Sequence, residues 1–318
     1  MSASIQERDN ELLARIGFNE VAARERRAKR RNLWTALAFM APAIALVCGL
    51  LLYPVAFNVY LSLTNWRKFK GFDEFVGLDN YRELFSQDNF LEASGNTILW
   101  VVASLVFPVV IGLGIAILMR GVKFEGLFKN IIFLPRILAP TAVGVIWFFV
   151  YSPNGLLNRL LSLGAGKPIT KGWLYEDNSV TPAIIATHVW QNVGLVMVLL
   201  LLGLAAIPKD PIEAAQMDGA TPRQTFMHVI LPLLMPTLVV VAILSVLAGF
   251  TTFDLLWVMG SSYPGQRTLS LVVYMYFEAF QKGSWAFGGA IAVVIGLIVL
   301  GVTWVQTVLQ SRAEKMTH

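Results

Sequence analysis

The chain has 318 residues, of which 56% are hydrophobic and 14% charged; a soluble domain averages about 45–50% apolar and about 25% charged, and disordered chains are poorer still in apolar residues. The net charge of +5 would suit nucleic acid, but a surface so short of charge cannot carry a broad phosphate-binding face. A single cysteine, Cys48, excludes an intrachain disulfide and a cysteine-based zinc site, which leaves an integral membrane protein, and apolar runs of helix-spanning length make it all-α.

Residues 1–32 form a polar, basic arm with no apolar stretch of signal-peptide kind at its start. It ends in Arg24, Arg26, Arg27, Lys29, Arg30 and Arg31, directly before the first apolar run, and positive charge there holds that end in the cytoplasm. Ile5, Leu12, Leu13, Ile16 and Val21 lie among the arm's charges at a poor helical period. The arm therefore reads as a mobile cytoplasmic tail, with an amphipathic helix on anionic headgroups as the alternative.

A helix crossing the hydrocarbon core needs about 20 mostly apolar residues. Six stretches qualify: 33–63, 97–119, 127–151, 182–207, 236–258 and 286–309. A further apolar run at 269–280 has the length of a re-entrant or interfacial helix rather than a span. Six spans place both termini in the cytoplasm, with the loops at 120–126 and 208–235 and the tail at 310–318. The basic residues agree: fifteen of the 25 Lys and Arg fall in the inner segments and nine in the outer loops, and the inner flanks decide orientation. The remaining one, Arg136, lies in the third span and reads as snorkelling to the headgroups.

The loop at 208–235 carries the strongest local signals. Asp210 reads as an N-cap, with Pro211 at the first helical position and Glu213 at the third. Gly219 supplies a left-handed stop. The pattern repeats with Thr221 as N-cap, Pro222 first and Gln224 third, and the second helix is expected to end near Pro232. The loop is thus a stiff helix–turn–helix whose first helix offers Glu213 and the small Ala214 and Ala215. The plain alternative is a well-capped connector.

Glu213-Ala214-Ala215, Gly219 and Val229-x-Leu231-Pro232 resemble the EAA loop of bacterial ABC-importer permeases, with Val229 where the family pattern has Ile. Phe75-Val-Gly-Leu-Asp-Asn-Tyr81, Leu134-Pro-Arg136 with Pro140, Val143-Gly-Val-Ile-Trp147 and Leu204 to Pro208 are similar to the binding-protein-dependent sugar permeases, on the side of the maltose transporter's first permease. The resemblance runs from about residue 33 to 309 and implies a six-helix transmembrane domain of a type I ABC importer in the bacterial inner membrane. It also implies a second homologous permease as heterodimer partner, a dimer of ATPase subunits below and an extracytoplasmic sugar-binding protein outside. By carry-over, Glu213, Ala214, Ala215, Asp218 and Gly219 are the element that docks on the ATPase.

No cofactor is expected in this chain. Gly164-Ala-Gly-Lys167 lacks the first glycine of a P-loop and is followed by Pro168, so ATP and Mg belong to the partner ATPase. Gly112 and Gly114 lie inside a span and cannot form a nucleotide fingerprint, and neither a metal site nor a catalytic residue is expected. For the substrate path, sugars call for aromatic faces beside hydrogen-bonding groups. Candidates are Trp190, Gln191 and Asn192 in the fourth span, Phe253 and Asp254 near the outer end of the fifth, and Tyr274 and Tyr276 in the short run; His188 reads as bonded between helices. The small residues Gly288, Ala292 and Gly296 read as a packing stripe.

No cluster of basic residues marks the spans, so a neutral oligosaccharide is the expected cargo, with a glycerol-phosphate-type permease as the alternative. A secondary transporter driven by ions fits less well: there is no clear midplane acid and no obvious repeat. Nor is there an H-E-x-x-H or G-x-S-x-G motif of an intramembrane hydrolase.

Overall fold

The computed structural model describes residues 35–316, except 70, 72, 73, 120, 121, 177, 261–264, 266 and 267, with side chains as far as 308. The basic arm, and with it the choice between tail and amphipathic helix, lies outside the described residues. What is described is almost wholly helical, with two isolated bridges, Thr64 to Phe75 and Arg67 to Gly71.

The first helix, α1, runs Thr35–Leu61, 27 residues with mean hydropathy 2.3 in its most apolar window. Pro54 has no N–H to donate and its ring crowds the carbonyl four residues back. The helix absorbs this by widening into a π turn at Cys48–Leu52, closed by the Tyr53 N–H on the Cys48 carbonyl.

The larger unit, from Val59 onward, is built on α3 (Asp88–Met119), α7 (Val180–Ala205) and α9 (Pro222–Thr251), each packed on the other two. The short α2 (Asp79–Ser86) precedes α3. Between α3 and α7 lie α4 (Glu125–Ile137), α5 (Pro140–Val150) and α6 (Leu156–Ala165). After α7 come α8 (Asp210–Met217), then α10 (Asp254–Met259) beyond α9, α11 (271–281) and α12 (Trp285–Met316). Two apolar clusters hold the unit. One gathers Trp100, Val143, Ile184, Leu255, Met259 and Ile291; the other gathers Ala116, Met197, Leu200, Leu204, Leu234 and Val241.

Among the described residues five helices are long and apolar enough to cross a membrane, and α4 with α5 makes a sixth if the bent pair is counted as one span. The pair is not straight: the two pieces meet at 96°. Pro140 forces the residue before it out of the helical region, and Ala139 accordingly sits at φ −59°, ψ 135°. The second span starts earlier than its apolar stretch, at Asp88, because the polar first turns still bury Phe90 and Ala93.

The fifth span differs most from expectation. Pro232 does not end a helix. A π turn at Phe226–Ile230 precedes it, as at Pro54, and the chain continues as one helix of 30 residues, Pro222–Thr251. It stops earlier than 258, where Thr251 and Thr252 turn their hydroxyls back onto the carbonyls of Leu247 and Ala248. The run at 269–280 becomes α11, which begins at Ser270 as a true N-cap. In the small-residue stripe, a Cβ on Gly288 would meet Ala279 at 2.5 Å, whereas Gly296 faces open space; only one end of the stripe is a close contact.

Gly194 fixes where α4 meets α7. A Cβ there would lie 2.2 Å from the Ile132 carbonyl oxygen and 2.8 Å from the Phe133 Cα, so α4 crosses the middle of α7 at backbone distance. Gly194→Leu is expected to lower the thermal midpoint of the purified protein, since overpacking costs about 1–3 kcal/mol or more when backbone must move. Gly114→Leu, whose Cβ meets nothing within 4 Å, serves as the control with a smaller change.

Candidate functional site

Asn192 stands midway along the 26-residue α7. Its Nδ2 donates to the His188 carbonyl at 2.9 Å and lies 3.4 Å from His188 Nδ1, which leaves Oδ1 free to accept from Arg136 Nη1 at 3.2 Å. Arg136 is on the last turn of α4, just before the break. Next to it, the Leu138 carbonyl orphaned by the break accepts from Gln191 Nε2 at 3.1 Å, as a helix end requires. Arg136, Asn192 and His188 share a cavity of about 110 Å3 with Ser104 and Pro108 of α3 and Ser245 of α9. Ser104 is 1% exposed and its hydroxyl has no hydrogen-bond partner. Pro108 also withholds the helical donor that the Ser104 carbonyl would otherwise receive. Three helices and the broken span therefore converge their polar groups on one small space.

Arg136 is exposed although it sits beside the midpoint of a span. A guanidinium there cannot face hydrocarbon without a cost of several kcal/mol, so charged groups at such depth face a protein interior or a water-filled path. Arg136 thereby marks a face turned to protein or water rather than to lipid. It does not snorkel to an end, because its hydrogen bond points it across to α7.

The consecutive Trp190, Gln191 and Asn192 are not one cluster, because about 100° of helical rotation separates neighbours. Trp190 turns away from the polar cavity, packs edge-on to Trp147 at 5.4 Å and lines a wide apolar groove of about 840 Å3 with Leu99, Phe107 and Ile185. Gln191 is buried and spent on the break. Phe253 and Tyr276 do meet, at 4.8 Å, and with Trp257 and Phe280 they form an aromatic cluster. Asp254, on the first turn of α10, is exposed and accepts from Thr141 Oγ1 at 3.2 Å. Tyr274 is buried and bonds Gln87. His188 makes its polar contacts within α7 and turns its ring edge-on to Trp100 at 5.8 Å. Ser104 and Ser245 drew no attention in the sequence, being single hydroxyls in long apolar runs.

The second feature is α8. Among its residues none is buried: Glu213 and Ala214 are exposed, Ala215 is half-buried, and Met217 is 89% exposed. Asp210 is not its N-cap. Lys209 holds that position with no side-chain hydrogen bond, and Asp210 and Glu213 instead lie in the first turn, where negative charge meets the positive end of the helix dipole. The end is sharply defined. Gly219, at φ 77°, donates to the Gln216 carbonyl, and Ala220 donates to the Ala215 carbonyl, both at 3.0 Å. These two bonds are a Schellman stop. The next helix begins two residues later on a complete capping box: Thr221 Oγ1 accepts from the Gln224 N–H while Gln224 Oε1 accepts from the Thr221 N–H at 2.8 Å. Since that helix is α9, the exposed α8 is tied by a four-residue corner, 218–221, hydrogen-bonded at both ends, to the span that carries Ser245. The helical stretch from Pro222 to Ser245 is about 35 Å at 1.5 Å per residue. Elsewhere, Gly164–Lys167 ends α6 at Gly166 rather than opening a helix, as a phosphate loop would.

Comparison with known proteins gives a consistent result. Residues 108–315 match the family described as "Binding-protein-dependent transport system inner membrane component". The chain is 32% identical to the probable ABC transporter permease protein YurN of Bacillus subtilis, over 84% of this chain and 93% of that one. It is 31% identical to the multiple sugar-binding transport system permease protein MsmF of Streptococcus mutans, over 88% and 96%. Its fold resembles a chain of a bacterial alginate ABC transporter solved with an alginate pentasaccharide-bound periplasmic protein, with a TM-score of 0.76 at 21% identity, covering 89% of this chain and 96% of that one.

Proposed function

The chain belongs to the binding-protein-dependent transport system inner membrane components, and from that premise we propose that it is a permease subunit of an ATP-driven carbohydrate importer. It supplies one half of a translocation pore, with a second, homologous permease as the other half. Two separate ATPase subunits bind ATP and Mg on the cytoplasmic side, and an extracytoplasmic binding protein delivers the sugar. The carbohydrate class rests on the likeness to MsmF and on the sequence tracts shared with sugar permeases; an oligosaccharide is the proposed cargo. Both termini and the 208–235 loop face the cytoplasm, as the basic arm requires.

The observation that carries the mechanism is the corner between α8 and α9. Two hydrogen-bonded stops, at Gly219 and at Thr221, leave no slack between them. When the ATPases close on ATP, the exposed face of α8 formed by Glu213, Ala214 and Met217 is carried with them. Displacement passes along α9 to Ser245 and shifts that wall of the polar cavity against α4 and α7. The path then opens alternately to the two sides. The substrate contacts proposed are Arg136, Asn192 and Ser104 at mid-depth, with Phe253, Asp254 and Tyr276 farther along.

Reconstitution tests the reading. Liposomes holding both permeases and the ATPases, with ATP and Mg inside and loaded binding protein outside, are expected to accumulate oligosaccharide. Omission of ATP or of the binding protein should abolish uptake. Accumulation driven by a proton or sodium gradient without ATP would overturn the proposal.

A further inference from the structure

Arg136 makes its hydrogen bond to a neutral partner, Asn192 Oδ1, and no described carboxylate pairs with it. The acids of α4 and α10 are engaged elsewhere. Glu125, at the far end of α4, holds Lys129 at 2.6 Å; Asp254 accepts from Thr141. The site therefore has a fixed positive charge at mid-depth with no counter-charge among the described residues. Its other offerings suit an acceptor as well: Ser104, whose hydroxyl is buried and unpartnered, lines the same cavity as Arg136. A cavity of about 110 Å3 has the volume of roughly four waters, room for a charged substituent rather than a whole sugar ring.

We propose that Arg136 selects a saccharide carrying an anionic oxyacid group, a carboxylate, sulfonate or phosphate, which the guanidinium and Ser104 receive while the ring remains in the wider path. A guanidinium matches such groups with two parallel N–H donors. A neutral sugar satisfies its hydrogen bonds but leaves the charge uncompensated at a depth where that is costly. The inference rests on the carbohydrate reading above and replaces the expectation of a neutral cargo: a cluster of basic residues is not needed where one unpaired guanidinium stands at mid-span.

The test uses the complete reconstituted importer with charge-matched probes: digalacturonate, a sulfonated hexose and a hexose phosphate, each beside its uncharged counterpart. At least one charged probe is expected to enter in an ATP-dependent manner, at least tenfold faster than its counterpart. Arg136→Gln is expected to reduce that uptake at least tenfold, and Arg136→Lys to retain a measurable part, which separates loss of charge from loss of folding. ATP-driven uptake of the uncharged probes at rates equal to or above the charged ones would overturn the proposal and leave the carbohydrate reading standing. Unchanged uptake in an assembled Arg136→Gln complex would overturn it too, the natural explanation then being a carboxylate of the partner permease beside Arg136. Failure of every saccharide, charged or not, would defeat both readings.

Discussion

Ala214→Trp in α8 is expected to abolish ATP-driven uptake while the importer's permease pair still assembles in the membrane. Ala214 is exposed and lies between Glu213 and Met217 on a helix that buries none of its residues, so an indole there has room in the isolated chain and disturbs no packing. It has no room if α8 sits in a groove of the ATPase. Loss of one well-packed contact in such an interface costs about 2 kcal/mol or more, roughly thirtyfold in association, and a steric clash exceeds that. Glu213→Ala and Met217→Ala are expected to act in the same direction with smaller effect. Gly219→Val attacks the corner differently: a β-branched residue is disfavoured at φ 77° by about 1–2 kcal/mol, which frays the Schellman stop and restores slack between α8 and α9. Its signature is ATP hydrolysis that persists without uptake, whereas Ala214→Trp reduces both. Co-purification of the ATPase, hydrolysis and uptake, measured on the same preparations, distinguish the two.

The second large effect is expected at Asn192. Asn192→Leu takes away the hydrogen-bond partner of Arg136 and fills a cavity of about 110 Å3 with a branched apolar group. Without that partner Arg136 swings away toward water, and the polar lining is lost. Uptake is expected to fall by one to two orders of magnitude, with the ATPase still bound because α8 is untouched. Trp190→Leu, two positions back on a different face of α7, changes the apolar groove instead and should alter uptake far less. Equal losses in the two variants would refute the assignment of the polar cavity to the path.

The spans and the capped loop were legible because their signals are local. Twenty apolar residues in a row, Thr221-Pro-x-Gln224 and Gly219 each speak through a few neighbours. The misreadings share the opposite cause. Pro232 looked like a helix end because a π turn is invisible in sequence, though the same device at Pro54 serves the same purpose. Trp190-Gln191-Asn192 looked like a cluster because adjacency in sequence is not adjacency on a helix. Arg136 looked like a snorkelling side chain because its partner is 56 residues away, and its position depends on Gly194 letting α4 approach α7. Ser104 and Ser245 became relevant only when α3 and α9 brought them to the same space. What tertiary contact decides, a single sequence does not announce.

The coupling of the exposed α8 to a cytoplasmic ATPase is tested most directly by cross-linking. In a Cys48→Ser background, which removes the chain's single cysteine, Ala214→Cys is placed on α8 and Thr170→Cys on the loop between α6 and α7. The expected result is a cross-link from position 214 to the ATPase subunit, with position 170 labelled by a membrane-impermeant maleimide added outside intact cells. Labelling of position 214 from outside, or an ATPase cross-link from position 170, would contradict it.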